Sequence, residues 1–318
     1  MIKNPYSFTD SDASFAENGG FNETRELFDT PFGDGPGHLP AEAGRYRVYW
    51  AKVCPWATRT VLTLKLLGLE DIISVGLADS QLTETEDWPF KSQPDGRDPV
   101  TGHKTVTDAY TAVGSQYSEY AVVPTVVDLE TNKIVSNDFI NLPYHLEEAF
   151  KPFHKEGAPD LLPAALKDEM LAFNGWMHTN INNAVYDAGF AESQEEYEEA
   201  FDRLFGALDE VEERLADRRY LFGSEITDAD VRLFVTLARF DVAYYTALLV
   251  NKKQIKDYPN LWGYARDLYT IPEFKEVTDF DAIKLGFFSE NDGSDEVSII
   301  PRGPDLSGWD EPHGREGL

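Results

Sequence analysis

The chain is predicted to fold as α/β plus all-α: an α/β domain over residues 45–150, then a helical domain over residues 160–288. Three observations predict this. The first half alternates short apolar runs of strand length with a helical pattern. The second half carries apolar residues at helical spacing and almost nothing that reads as a strand. The one cysteine in 318 residues, Cys54, stands where the first strand gives way to the first helix.

Residues 1–44 are rich in Gly, Asp, Glu and Pro, and read as an extended arm without regular structure. Tyr46 to Val53 is a largely apolar run and reads as a strand. Arg59 to Leu67 reads as a helix, with Pro55 tolerated in its first turn and Gly68 as its C-terminal cap residue. Ile72 to Leu77 reads as a second strand. Residues 79–118 form a polar stretch dotted with aromatics. A loop of that length inside a domain is functional or a local insertion. Val122 to Asp128 reads as a strand interrupted by Pro124, and the Val123–Pro124 step is a candidate cis bond, with a trans edge proline as the alternative. Lys133 to Ser136 pairs with it as a hairpin turning near Thr131–Asn132, and Phe139 to Phe150 reads as a helix. Strand, helix, strand, hairpin, helix is the thioredoxin order, so the first domain is expected to be thioredoxin-like.

In the second half, Asp160 to Tyr186 and Glu195 to Ala216 read as helices, the latter with a clear apolar face. Thr227 followed by Asp230 before an apolar run resembles a capping box. Residues 289–318 read as an extended tail.

Cys54 lies at the N-terminus of a helix, where unpaired N–H groups and the macrodipole favour a thiolate. A reactive thiol is the reading adopted; a buried structural cysteine is the alternative. One cysteine makes no internal disulfide, which fits a reducing compartment. Met1 to Asp12 lacks a signal-peptide pattern and no apolar run reaches the ~18 residues of a membrane span, so a cytoplasmic, soluble protein is expected. The six histidines show no metal-ligand spacing, and no metal and no bound cofactor are expected.

The formal net charge is −29, from 57 acidic and 28 basic residues. Nucleic acid needs a basic footprint and is excluded as a partner. The aromatic content argues against a disordered acidic chain. A folded protein with an acidic surface remains, self-repelling at low salt and screened at high salt, which points to a halophilic source. Its melting midpoint is expected to rise from low to molar KCl; a flat or falling midpoint would remove that reading.

Several motifs carry a resemblance. Cys54-Pro55-Trp56-Ala57, Trp88, Val123-Pro124, Asn182-Asn183-Ala184-Val185-Tyr186 with Ala188-Gly189-Phe190, Arg239-Phe240-Asp241 and Tyr258-Pro259-Asn260-Leu261-Trp262 resemble, in that order, motifs of the Xi-class glutathione S-transferases, the glutathionyl-hydroquinone reductases. The similarity runs from about Gly44 to Gly303-Pro304-Asp305. It implies the glutathione S-transferase fold and a homodimer. It also implies a catalytic cysteine, here Cys54, that attacks the sulfur of a glutathionyl-hydroquinone thioether and is freed from the mixed disulfide by a second thiol. Trp88, Val123, Pro124, Asn137 and Asp138 fall at thiol-binding positions, and Tyr186 and Tyr244 at quinol-binding ones. The partners implied are a small thiol and an aromatic quinol.

Some positions depart from the family. Phe139 and Phe287 replace hydroxyl-bearing residues, and Tyr120 stands where a basic residue is common. The missing cation makes γ-glutamylcysteine an alternative to glutathione as co-substrate. Arg239 is expected to pair with Asp241 or to serve the site. Dehalogenation or general thioltransfer by the same cysteine is a neighbouring reading. A catalytically idle thiol-binding protein is the alternative from another class.

Overall fold

A computed structural model describes residues 27–82, 87–114, 121–289 and 299–318. The described residues form two compact units, one drawn from 12–158 with 281–300, the other from 159–280 with 301–318. The sequence grouped 160–288 together; contacts place 281–289 with the first unit.

In the first unit, β1 (Tyr46–Ala51) is buried along its whole length, so apart from Arg47 it reads apolar without alternation. β2 (Ile73–Ala78) pairs parallel with it, Tyr46 opposite Ile73. β3 (Thr125–Asp128) runs antiparallel to β1, and β4 (Lys133–Ser136) antiparallel to β3, giving the order β2-β1-β3-β4. Asn132 has positive φ in the hairpin turn, near where the sequence put it. The expected strand from Val122 begins only at Thr125. The Val123–Pro124 bond is cis, and Pro124 has no N–H for a ladder.

Helix α1 (Pro55–Leu67) starts directly after Cys54, earlier than its apolar pattern indicates, because Pro55 supplies helical φ at no cost in hydrogen bonds. All its residues but Lys65 are buried. Gly68, at φ 70°, closes it in the left-handed region. Helix α2 (Thr107–Thr111) lies in the 79–118 stretch, and α3 (Leu142–Glu148) is shorter than the Phe139–Phe150 expectation. The turn from Asn137 to Asn141 takes up its first residues.

The long stretch is an ordered insertion wherever it is described. Asp98 is fully buried against β1 and receives Arg47 through both carboxylate oxygens, at 2.6 to 3.0 Å. The Tyr49 hydroxyl meets Thr101 at 2.6 Å and His103 at 2.9 Å. The arm is likewise docked along 27–44. Asp29 bridges Ser136 on the exposed edge of β4, and Phe32 packs among Tyr46, His145 and Phe150. Covering an edge strand removes a template for aggregation.

In the helical unit, the single helix expected over Asp160–Tyr186 is three pieces: α4 (Lys167–Met177), a π-helical turn (His178–Asn182) and α5 (Ala184–Gly189). Helix α6 (Gln194–Arg214) follows, then α7 (Asp228–Arg239), a second π-helical turn (Phe240–Tyr244) and α8 (Tyr245–Ala247). The first widened turn falls where the buried Asn182 amide reaches into α7, to Arg232 O at 3.0 Å and Thr236 Oγ1 at 2.6 Å. The Thr227–Asp230 capping box is present, and Asp230 also ties in Leu221 N and the Tyr264 hydroxyl.

Helices α9 (Pro259–Tyr269) and α10 (Pro272–Glu276) complete the helical unit, and α11 (Phe280–Phe288) carries the chain into the other one. The tail is irregular beyond one short turn but is not loose. Trp309 is buried against Trp262, Tyr269 and Phe280, and Arg315 donates to the carbonyls of Leu215 and Arg219 beyond the end of α6. No described helix is long and apolar enough to cross a membrane.

Candidate active site

Cys54 is placed by the turn that joins β1 to α1. Its N–H bonds Ala51 O, and its carbonyl accepts from the N–H and hydroxyl of Thr58. Its thiol donates to Val123 O at 3.3 Å, so two of the sequence's candidates, 69 residues apart, meet in space. The side chain does not cap α1, and Cys54 is 0% exposed. The sequence expectation of a reachable sulfur therefore needs its cover to move. Helix α11 packs against the residue before Cys54. Gly286 lies so close to Val53 that an added Cβ would come within 2.4 Å of the valine side chain and 2.8 Å of Ser80 O. Any residue larger than glycine there must shift the segment leading into Cys54.

A short hydrogen-bond chain fixes the loop opposite the sulfur. Asn137 Nδ2 donates to the Tyr110 hydroxyl at 3.3 Å. Tyr110 shares 3.0 Å with Thr125 Oγ1, which donates to Val122 O at 2.6 Å. The cis-Pro124 turn is held from behind. Among the described residues the N–H of Val123 makes no hydrogen bond, although Val123 is buried. Asn137 also clamps the arm, its Oδ1 accepting from Phe28 N at 2.9 Å. The structure thus gives Asn137 a bracing position.

Asp138 accepts from Ile140 N, Asn141 N and Asn141 Nδ2 in the turn leading to α3. Trp88 is buried, its carbonyl bonding Val106 N, on a segment bridged through Pro89 to Thr105. Tyr120 lies outside the described residues.

Sequence reasoning missed Arg59. It is buried in α1 with its guanidinium 5.2 Å from the Trp56 ring and 5.4 Å from the Phe139 ring, and it donates to Phe139 O. Phe139, read from the sequence as a lost hydroxyl, packs its ring at 5.3 Å and a 35° tilt against Trp56 instead. A basic residue two positions after Cys54-Pro55-Trp56-Ala57, on a largely apolar helix, was the available signal.

In the helical unit, Tyr186 and Tyr244 meet: their hydroxyls are 2.8 Å apart and their rings 5.5 Å apart at 68°. Each lies at or just after a π-helical turn, the kind of local widening found at functional sites. Arg239 does not pair with Asp241 as expected. Asp241 accepts from Ile255 N at 2.7 Å and Lys256 N at 3.2 Å, and Arg239 donates to Val235 O.

Burial pushes the Asp241 carboxyl up to about 6, only partly offset by those two N–H groups. Its folded value lies above its unfolded one, so its ionisation opposes folding above that point. Wild-type stability should gain relative to Asp241→Asn as pH falls from 7 to 5. Melting midpoints of both proteins at constant ionic strength check the sign. Among the described residues no group of three or more His, Cys, Asp or Glu is placed to hold a metal.

A four-stranded mixed sheet with a cysteine ahead of its first helix and a cis-proline ahead of its third strand, continued in the chain by a helical unit, defines the glutathione S-transferase fold. Residues 194–267 match the family model described as glutathione S-transferase, C-terminal domain. The chain is 38% identical to glutathionyl-hydroquinone reductase YqjG of Escherichia coli K12, over 89% of its own length and 86% of that protein's. The glutathione-bound structure of YqjG matches with a TM-score of 0.82 at 36% identity, over 91% of this chain and 96% of that one. A glutathione transferase structure from Gordonia bronchialis gives 0.87 at 42% identity, covering 92% and 91%. An Xi-class structure from Natrialba magadii gives 0.86 at 34%, covering 94% and 93%. The chain belongs to the glutathionyl-hydroquinone reductases, the Xi class of glutathione transferases, and is an enzyme.

Proposed function

We propose that this enzyme removes the glutathionyl group from hydroquinone thioethers through a mixed disulfide on Cys54. The Cys54 thiolate attacks the thioether sulfur. An S–S bond forms, the carbon–sulfur bond breaks, and its electron pair stays on the ring carbon, which takes up a proton as the hydroquinone leaves. A glutathione thiolate then attacks the mixed disulfide and departs as the oxidised disulfide, freeing Cys54. The ring carbon is reduced by two electrons, and the thioether sulfur and one glutathione thiol end joined as a disulfide. A lone cysteine suits this chemistry because the resolving thiol comes from solution.

The observation that carries the reading is the strip beside the sulfur. Val123 has its carbonyl on Cys54 and its N–H unpaired, ahead of cis-Pro124. A thiol with a peptide backbone would pair with that edge and lay its own sulfur near Cys54. The names of the relatives support the substrate class. In this reading Trp88 and Asp138 contact the thiol, Asn137 steadies the loop, and Tyr186 and Tyr244 stack on and hydrogen-bond the quinol. Since Cys54 is buried, its cover opens in each turnover. A homodimer in the cytoplasm and a salt-requiring acidic surface belong to the same proposal.

The test is mass spectrometry after mixing the enzyme with a glutathionyl-menadione conjugate and no free thiol. One glutathione is expected on the peptide containing Cys54, with one menadiol released per site. Conjugate consumption with no adduct on Cys54 would overturn the mechanism. Turnover with glutathione against γ-glutamylcysteine as resolving thiol then decides the co-substrate.

A further inference from the structure

The loop beside the sulfur is held by side chains whose hydrogen bonds have a fixed direction. Thr125 Oγ1 lies 2.6 Å from the carbonyl of Val122, which has no proton to give, so the single hydroxyl proton of Thr125 is spent there. The Tyr110 hydroxyl, 3.0 Å from the same Oγ1, must therefore donate to it. Its own oxygen accepts from Asn137 Nδ2 at 3.3 Å, and Asn137 Oδ1 accepts from Phe28 N at 2.9 Å. The chain runs one way, from the backbone of the arm through Asn137, Tyr110 and Thr125 to Val122 O. Tyr110 and Thr125 are fully buried, where successive hydrogen bonds polarise one another.

That chain ends on the peptide that the proposed reaction uses. Val122 C=O and Val123 N–H belong to one planar unit, and this bond is trans, since the cis bonds among the described residues are Val123–Pro124 and Gly303–Pro304. In a trans peptide the carbonyl and the N–H point in opposite directions. Thr125 holds the carbonyl on one side, so the N–H is presented on the other. Among the described residues that N–H makes no hydrogen bond, and the next carbonyl, Val123 O, accepts from the Cys54 thiol. Tyr110 is carried to this place by α2, whose first N–H donates to Asp87 Oδ1 at 3.3 Å; the same oxygen accepts from Trp88 N at 2.7 Å. The Phe28 ring meets the Tyr110 ring edge to face at 5.8 Å.

We propose that Thr125 and Tyr110 are positioning residues, which aim the Val123 N–H at the backbone of the thiol substrate. They act through the Val122–Val123 peptide. The proposal rests on the reading that the glutathionyl group pairs with the Val123 edge. Losing the Thr125 hydroxyl releases the Val122 carbonyl and lets the peptide turn. Losing the Tyr110 hydroxyl removes only the restraint on Thr125, so its effect is smaller.

Two measurements test this: calorimetric titration with S-methylglutathione, which has no thiol to react, and the rate of Cys54 adduct formation from a glutathionyl-menadione conjugate without free thiol. Thr125→Val replaces the hydroxyl with a methyl group, and Tyr110→Phe keeps the ring against Phe28. Thr125→Val should weaken S-methylglutathione binding about tenfold and raise the half-saturating conjugate concentration by a similar factor; Tyr110→Phe should do the same about threefold. The limiting rate at saturation should stay within about twofold of wild type, because the sulfur chemistry is untouched. Thr125→Ser, which keeps the hydroxyl, should bind as wild type does. A packing role predicts the reverse order, since valine fills the site and serine does not. Wild-type affinity in Thr125→Val, Thr125→Ser as weak as Thr125→Val, or a lower limiting rate at unchanged half-saturation would each overturn the proposal. If Thr125→Val does not fold, wild-type affinity in Tyr110→Phe overturns it. A wild-type enzyme that neither binds S-methylglutathione nor forms the Cys54 adduct would instead remove the underlying reading of the site, and the proposal with it.

Discussion

Cys54→Ser is expected to abolish reduction of glutathionyl-hydroquinone conjugates, with turnover lower by roughly 10³-fold or more. A serine oxygen can neither form a disulfide nor be released from one by thiol exchange. The fold should survive, because a hydroxyl can meet both the thiol hydrogen bond to Val123 O and the small buried volume. The variant should therefore melt within a few degrees of wild type and still bind glutathione along Val123. Conjugate assays and a binding titration on the same preparation separate the two effects. Unchanged turnover would mean that another group does the chemistry.

Asp98→Ala is expected to cost about 3–5 kcal/mol of stability, because it leaves Arg47 buried without its counter-charge. The insertion would lose its anchor on β1 together with the backbone N–H of Val100 and Thr101, which Asp98 accepts at 3.1 and 2.9 Å. The double variant Arg47→Met, Asp98→Leu should recover much of the loss, since a buried ion pair and an apolar pair of similar volume are often nearly equivalent. Thermal melts of the three proteins measure this. Burial raises the Asp98 carboxyl, but the Arg47 hydrogen bond, the Thr101 amide and the Arg47 charge outweigh it and leave the group below the ordinary carboxylate value. The stabilisation is thus fully present above about pH 4 and is lost as pH falls through the lowered value. A melt of Asp98→Ala indistinguishable from wild type at neutral pH would show that the pair does not hold the insertion.

Most of the first unit was legible because local chemistry dictates it. Pro55 starts α1, Gly68 ends it, Pro124 delays β3, and the run Tyr46 to Ala51 is apolar apart from Arg47 because both of its faces are covered. Thr227 and Asp230 announced their helix for the same reason: the capping bonds join residues three apart. The arm and tail read as extended because their Gly, Asp and Pro content carries no helical or strand periodicity. That Phe32, Trp309 and Arg315 would dock them depends on partners far along the chain.

The candidate site divides along the same line. By itself the sequence pointed to the candidates: a lone cysteine before a helix and a Val-Pro step are local features, and Tyr186 and Tyr244 came from the family resemblance. Only the tertiary structure decided how they are disposed. It put Val123 O on the sulfur, turned Asn137 into a brace through Tyr110 and Thr125, made Phe139 a platform for Arg59, and joined the hydroxyls of Tyr186 and Tyr244. It also buried Cys54 completely, against the expectation of access. Hydrogen bonds between residues tens of positions apart leave no periodic trace in a sequence, and whether a side chain meets water depends on what folds over it.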